Sequence, residues 1–486
     1  MPISGLSDPS LFREQALIGG SWTDSTSGKT LSVDNPATGE IIGTIPACTA
    51  AETEKAIAAA DSAQKRWKTR TPDERAAILM KWYDLILASL DDLATIMTVE
   101  QGKVLAEAKG EVKYAASFLR WFAEEARRMD GTIITPPQRD RRVLVLKQPV
   151  GTTAAITPWN FPLAMITRKC APAFAAGCSM VIKPSELTPY SALALAVLAE
   201  RAGLPSGLLS IVTGEAKEIG PVLTASPTVR KLSFTGSTHV GALLMEQSAS
   251  TIKRLSLELG GNAPLLVFDD ADLETAVAGA MGSKFRNSGQ TCVCSNRILV
   301  QSGIHDRFVA RITEEVAKLK VGNGLDPKNT MGPLINDAAV AKIRAHVEDA
   351  LSHGARYASA PLSTDGRFVT PVVLEGVTSA MRVSCEETFG PVLPVFKFET
   401  EEEAVTLANS TPFGLASYFF TTDVSRAWRV GEALDFGMVG LNTGSVSMES
   451  APFGGIKQSG LGREGGHPGI DEFLELKSFH MAGLKF

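Results

Sequence analysis

Four short stretches carry residue types suited to chemistry on a carbonyl. In Phe285-Arg286-Asn287-Ser288-Gly289-Gln290-Thr291-Cys292-Val293-Cys294, a helical pattern from Leu273 to Lys284 runs into a Gly-Gln-Thr turn and then a cysteine. Glycine permits a tight turn that presents the thiol from a loop. The thiolate is the nucleophile, so such a site must stabilise the anion locally. A buried, inert cysteine is the competing reading and, for any single cysteine, the commoner one.

In Leu257-Glu258-Leu259-Gly260-Gly261-Asn262-Ala263-Pro264 a glutamate follows an apolar run and precedes two glycines. Placed in a partly dry pocket, its pKa rises and it can take a proton from a hydrolytic water. An isolated glutamate at a strand end is otherwise a surface residue. The prolines of Ile156-Thr157-Pro158-Trp159-Asn160-Phe161-Pro162 fix an irregular loop after a strand. Asn160 then has a preset direction from which its amide can donate to a developing oxyanion, although turn-forming asparagines beside proline are common. Phe234-Thr235-Gly236-Ser237-Thr238-His239-Val240-Gly241 reads as a strand entering a helix through a glycine turn. Small residues at a helix N-terminus accept phosphate through backbone amides, although the spacing is not Gly-x-Gly-x-x-Gly.

The elements that must position these residues follow from hydrophobic periodicity. Strands are predicted over Val143–Lys147, Thr153–Ile156, Ser179–Lys183, Leu209–Thr213, Lys231–Phe234 and Leu265–Phe268, with helices over Ser191–Ala202 and His239–Glu246 between them. That alternation argues for an α/β protein with doubly wound parallel sheets. Upstream, Leu105, Ala108, Val112, Ala115, Leu119 and Phe122 step by threes and fours and mark one buried helix face. The turn Asn35-Pro36-Ala37-Thr38-Gly39 between short apolar runs predicts a β-hairpin. Phe413 to Phe486 is rich in glycine, which suggests loops covering a site rather than a core of their own. Arg141 to Lys147 reads as an exposed strand whose open edge invites a partner.

Together these segments resemble the aldehyde dehydrogenase superfamily. The likeness runs from Asn35-Pro36-Ala37-Thr38-Gly39 to Pro452-Phe453-Gly454-Gly455 and includes Lys183-Pro184-Ser185-Glu186-Leu187-Thr188-Pro189 and Glu386-Glu387-Thr388-Phe389-Gly390-Pro391. It implies that Cys292 attacks an aldehyde, that Asn160 and the Cys292 backbone N–H hold the oxyanion, and that Glu258 activates the water that cleaves a thioester. It also implies a nicotinamide dinucleotide bound by Ile156, Thr157, Trp159, Lys183, Ser185, Glu186, Gly236, Ser237, Leu259, Glu387 and Phe389. A carboxylate at 186 accepts hydrogen bonds from a ribose 2′-OH and repels a 2′-phosphate, so NAD is expected over NADP, with Lys183 and Ser185 leaving room for some NADP use.

Within the superfamily the sequence is similar to succinate semialdehyde dehydrogenases, through Met165-Ile166-Thr167-Arg168-Lys169, Phe285-Arg286-Asn287, Cys292-Val293-Cys294 and Gly460-Leu461-Gly462-Arg463-Glu464-Gly465. That likeness implies a grip on a distal substrate carboxylate by Arg168, Arg286 and Ser447, a task suited to guanidinium forks. Either arginine could pair with a protein carboxylate instead. Gly444-Ser445-Val446-Ser447-Met448-Glu449-Ser450 departs from the usual substrate loop except at Ser447, so glutarate semialdehyde or another ω-oxo acid stays open. The implied organisation is a cofactor domain over 1–130 and 148–258, a catalytic domain over 259–460, and an oligomerisation arm with the C-terminal tail from 131–147 and 461–486. The expected assembly is a homodimer or homotetramer.

Composition bounds the alternatives. The 486 residues, 44% hydrophobic and 21% charged with a net charge of -5, describe an ordinary globular chain of more than one domain. No basic stripe suggests nucleic acid. Met1 to Arg13 lacks a signal peptide's apolar core, and the charge-free stretch Gln148 to Thr167 holds three prolines and cannot be a simple membrane helix. A cytoplasmic chain is expected. Six cysteines without a secretion signal argue against a disulfide framework, and the absence of Cys-x-x-Cys or His-x-x-x-His gives no support for a metal. A CoA-acylating enzyme of this family would generally lack a glutamate at 258. A non-catalytic protein on the same fold would have no reason to keep Cys292, Glu258 and Asn160 together. A cofactor-free cysteine hydrolase leaves Lys183 and Glu387 unexplained.

Overall fold

The protein is described by a computed structural model covering residue 3 and residues 5–485. Met1, Pro2, Ser4 and Phe486, at the ends of the first and last stretches read above, lie outside the described residues. Two parallel sheets form its centre. In the first, Leu209–Ile211, Ser179–Lys183, Thr152–Ile156, Val229–Thr235 and Arg254–Glu258 lie side by side in that order, all parallel. Thr152–Ile156 and Ser179–Lys183 are buried at every residue, as strands covered by helices on both faces must be. Antiparallel strands finish both edges: the hairpin Ala16–Ile18 and Ser21–Thr23 on one, Gly460–Leu461 on the other.

The strand order in this sheet reverses between Thr152–Ile156 and Val229–Thr235. Strands before that point step one way across the sheet and later strands step the other way. Such a switch point opens a crevice at the carboxyl ends of the two strands. Out of those ends run the loop bearing Asn160 and the turn Gly236–Ser237.

The second sheet has the order Arg356–Tyr357, Val372–Glu375, Val392–Phe398, Ser295–Gln301, Ala263–Val267, Ala416–Phe420, Met438–Leu441, parallel except for its first strand. Its last two strands correct the reading of Phe413 onward as loops. The runs Ala416–Phe420 and Met438–Leu441 pair with each other and complete this sheet, with Tyr418 and Phe420 in its core. Glycine-rich segments between them hid short strands.

A separate three-stranded sheet joins Leu474–Met481, Arg142–Pro149 and Thr132–Ile134. Here the expectation of an open edge at Arg141 to Lys147 fails. Arg142–Pro149 is the central strand, paired through eight residues with Leu474–Met481, and the outer strands are Leu474–Met481 and Thr132–Ile134. A partner 330 residues away was invisible to local pattern.

The predicted helix face is present in the helix Leu105–Glu125, where Ala108, Val112, Ala115, Leu119 and Phe122 are buried and Leu105 is half-buried. The predicted hairpin pairs Thr30–Asp34 with Ile41–Pro46. Among the described residues no helix is long and apolar enough to cross a membrane, and no group of three or more His, Cys, Asp or Glu is placed to hold a metal.

Candidate active site

Cys292 stands where two cavities meet. One is a cleft of about 280 Å³ between the sheets, lined on one wall by Trp159, Asn160, Gly236, Ser237 and Leu259 and on the other by Lys342, Glu387 and Phe389. The second, about 40 Å³, continues beyond the sulfur and is lined by Tyr114, Phe161, Arg168, Arg286, Ser447 and Phe453. A reactant on the sulfur thus has a wide cleft on one side and a small cationic and aromatic chamber on the other.

Local conformation explains how the thiol reaches that junction. The helix Leu273–Lys284 ends at Phe285, and Asn287 and Ser288 both take left-handed backbone, at φ 51° and 57°. Gly289 follows at φ 76°, and a β-carbon there would lie 2.3 Å from the Gly390 carbonyl oxygen, so only glycine fits. The Gly260–Gly261 pair after Glu258 serves close approach too: a β-carbon on Gly261 would lie 2.5 Å from the Cys292 carbonyl oxygen.

Removal from water pushes the Cys292 thiol up to about 12; Arg168 and Arg286 oppose that rise, while Glu387 and Glu258 add to it. Glu258 closes the strand Arg254–Glu258 and is 3% exposed. Burial first, and the negative charge of Glu464 next, hold its carboxyl well above the ordinary range, against the pull of Arg168, Lys169 and Arg463. One of its oxygens, Oε2, is buried without a hydrogen-bond partner. A carboxyl in that condition favours taking a proton from a neighbour that enters the pocket. The Asn160 amide nitrogen donates to the Gln290 carbonyl at 3.1 Å, two residues before the cysteine, and both Asn160 and Cys292 line the cleft.

On the cleft side, Ser237 caps the helix Thr238–Ser248, its hydroxyl accepting from the Val240 N–H at 3.3 Å, and Gly236 donates to the Glu258 carbonyl at 3.0 Å. Trp159 and Phe389 meet edge to face with centroids 5.6 Å apart. Glu387 accepts the Gly261 N–H at 3.1 Å, and burial pushes its carboxyl up to about 7. Ile156, Thr157, Lys183, Ser185 and Glu186 do not border this cleft; they lie at the carboxyl ends of the strands Thr152–Ile156 and Ser179–Lys183. Lys183 and Glu186 pair at 2.5 Å, with the Glu186 side chain 45% exposed. Burial alone would raise the Glu186 carboxyl, but Lys183 draws it below the usual value.

The substrate-side arginines differ. Arg168, 2% exposed, forms an ion pair with Glu464 at 2.5 Å and lies 4.1 Å over the Phe453 ring. Arg286 sits 5.3 Å from the Phe161 ring centroid and, among the described residues, has no carboxylate pair. Glu464, which also pairs with Lys169, was missed as a site residue, although it stood in a stretch already singled out. Its signal was the adjacent pair Arg168-Lys169 in an apolar helix: two buried cations require a buried anion. Cys294 is buried, its thiol facing the Lys284 carbonyl at 3.3 Å.

This arrangement of a cysteine, a dry carboxyl and a side-chain amide around a cleft at a sheet switch point agrees with comparison to known proteins. The profile of the Aldehyde dehydrogenase family matches residues 22–479, and the chain belongs to that family. Among its relatives, the glutarate-semialdehyde dehydrogenase of Pseudomonas putida strain KT2440 is 58% identical over 472 residues, 97% of this chain and 98% of that one. The succinate-semialdehyde dehydrogenase (NADP(+)) GabD of Escherichia coli strain K12 is 56% identical over 474 residues, 97% and 98% of the two chains. The crystal structure of succinate-semialdehyde dehydrogenase from Burkholderia pseudomallei superposes with a TM-score of 0.96 at 56% identity, covering 99% and 100%.

Proposed function

We propose that this enzyme oxidises a short semialdehyde carrying a terminal carboxylate, succinate or glutarate semialdehyde, to the dicarboxylate, using NAD in preference to NADP. The observation that carries the reading is the small chamber beyond Cys292, where Arg286 and Ser447 face the space with Arg168 behind. An aldehyde bonded to the sulfur would direct its far end there.

The residues at the switch point suit a dinucleotide: a capped helix N-terminus for the pyrophosphate, Glu387 for a ribose, Trp159 and Phe389 bordering the nicotinamide end with Leu259 as an apolar wall, and, outside the cleft at the strand ends, Lys183, Ser185 and Glu186 for the adenosine ribose with Ile156 and Thr157 beside them. A nicotinamide bound in that cleft supplies the hydride acceptor that turns a Cys292 thiohemiacetal into a thioester. The protein's own part begins as the sulfur attacks the aldehyde carbon, the S–C bond forming while the S–H bond breaks and its proton passes to solvent water in the open cleft. The Asn160 amide and the Cys292 N–H then hold the oxyanion; one donor of this kind is worth roughly 3–4 kcal/mol. Glu258 afterwards takes a proton from the water that cleaves the thioester and returns the thiol. The presence of Glu258 in the dry pocket favours hydrolysis over transfer to CoA.

The domain limits follow the sequence reading: a cofactor domain from 1–130 and 148–258, a catalytic domain from 259–460, and an arm and tail from 131–147 and 461–486, in a cytoplasmic homodimer or homotetramer. Supporting the arm is the separate three-stranded sheet. The deciding assay follows reduced-nucleotide formation with succinate semialdehyde, glutarate semialdehyde and propanal, with and without CoA. Equal efficiency with propanal would remove the carboxylate grip, and acyl-CoA as product would remove the hydrolytic role of Glu258.

A further inference from the structure

One face of the helix Leu105–Glu125 grips both loops of the active site. Glu107 and Glu111 stand four residues apart, on the same side of the helix. The Glu107 carboxylate accepts the Asn287 N–H at 3.0 Å, in the loop leading to Cys292. The Glu111 carboxylate accepts the Leu163 and Ala164 N–H groups at 3.0 and 3.2 Å, just beyond Asn160. Lys103, 2% exposed, pairs with Glu111 and donates from Nζ to the Asn160 backbone carbonyl at 2.8 Å. The two loops touch each other as well: the Asn287 side chain donates to that same Asn160 carbonyl at 3.0 Å.

Asn287 and Ser288 hold a backbone conformation that costs non-glycine residues about 1–2 kcal/mol each. Such a turn persists only when its surroundings fix it. Glu107 supplies that restraint from another element, at the first N–H of the left-handed pair that leads toward the thiol; the second, of Ser288, donates within the loop to the Phe285 carbonyl at 3.1 Å. We infer that Glu107 is a positioning residue, whose carboxylate sets the distance between the Cys292 sulfur and the Asn160 amide, with Lys103 and Glu111 fixing the opposite loop to the same helix. It touches neither substrate nor cofactor and acts through Asn287. The inference rests on the roles proposed above for Cys292 and Asn160.

The test is single-turnover formation of reduced nucleotide with the semialdehyde, read alongside steady-state kcat, KM and the thermal midpoint. E107A loses about tenfold or more in the single-turnover rate and in kcat, the amount carried by one hydrogen bond to a charged group. Its KM for the nucleotide stays within about twofold of the parent value. E107Q, whose amide oxygen still accepts the Asn287 N–H, recovers the rate to within about threefold. Should E107A not fold, E107D, which withdraws the acceptor by one methylene, must show the same loss in rate. A parent-like rate in E107A or E107D, or an E107Q as slow as E107A, overturns the role of Glu107. An inactive parent in the same assay would instead overturn the proposed function.

Discussion

Arg168 and Glu464 face each other at 2.5 Å inside the protein, and Lys169 pairs with the same carboxylate. Two basic side chains share one carboxylate in a buried cluster beside the chamber beyond Cys292, where burial lowers the Lys169 ammonium while Glu464 raises the Arg168 guanidinium against burial. A cation held in a dry site is costly, and an arriving substrate carboxylate offsets that cost. On the proposed reading the grip on an acidic substrate is divided: Arg286, with no carboxylate pair among the described residues, meets the substrate, while Arg168 stays tied to Glu464.

That division predicts two different kinetic signatures. Arg286→Ala raises the KM for the semialdehyde about tenfold or more, the size expected for one charge-assisted pair, while kcat and propanal oxidation fall less than in Arg168→Ala because Arg286 is the weaker of the two arginines that lower the Cys292 thiol. Arg168→Ala strips a partner from Glu464 and a positive charge from the neighbourhood of Glu258 and Cys292, so kcat falls together with the rise in KM. Identical profiles for the two variants, both confined to KM, would show that Arg168 is as free as Arg286.

The dry setting of Glu258 makes hydrolysis depend on pH in a definite direction. Its carboxyl lies well above the ordinary glutamate value because of burial and then of Glu464, so the base form accumulates as pH rises. Under conditions where thioester hydrolysis limits turnover, kcat rises with pH through that raised value. Glu464→Gln removes a negative neighbour and moves the rise to lower pH. Glu258→Gln lowers kcat by about 10²- to 10⁴-fold but leaves first-turnover nucleotide reduction largely in place. Stability moves oppositely. A folded-state pKa above the unfolded one contributes stability that is fully present below the unfolded value and is lost as pH rises to the folded value. Melting midpoints of E258Q and parent should separate with increasing pH, in favour of E258Q; a constant difference from pH 5 to 9 would contradict the raised carboxyl.

If the adenosine ribose binds where proposed, the pair Lys183–Glu186 is the test of cofactor choice. Glu186 occupies the Lys183 ammonium and adds a negative charge where a 2′-phosphate would arrive. Glu186→Ala frees the lysine for that phosphate, and the ratio of kcat/KM for NADP to that for NAD rises about tenfold or more. An unchanged ratio, measured with one saturating semialdehyde, would place the discrimination elsewhere.

Much of this site could be read from the chain because its parts are local. The turn before Cys292, the strand end at Glu258 and the proline-bound loop at Asn160 each sit at the end of an apolar run that sequence periodicity locates. Ser179–Lys183 and Leu273–Lys284 were placed to the residue. What escaped depends on contacts between distant segments. Glu464 acquires its role only by meeting Arg168 and Lys169 across nearly 300 positions, and Glu107 only by meeting Asn287 across 180. Leu474–Met481, alternating and largely exposed, gave no local hint that it would pair with Arg142–Pro149.

That last strand carries the remaining prediction. Leu474–Met481 leaves one edge of its sheet open along eight residues, and Leu476 and Phe479 are 69% and 51% exposed on it, with Ile133 at 72% on the far strand. An open strand edge is a template for pairing with another chain, and exposed Leu476, Phe479 and Ile133 add apolar surface to a sheet that lies apart from the two main sheets. In a homo-oligomer the edge pairs with a second copy or packs against its main sheets, and charge on it opposes either arrangement. The double substitution L476D/F479D should lower the sedimenting mass at micromolar concentration by at least half while leaving the fold of each chain, read by far-ultraviolet circular dichroism, as in the parent. Retention of the parent mass would mean that subunits associate elsewhere, and a parent that sediments as a single chain would dismiss the oligomer altogether.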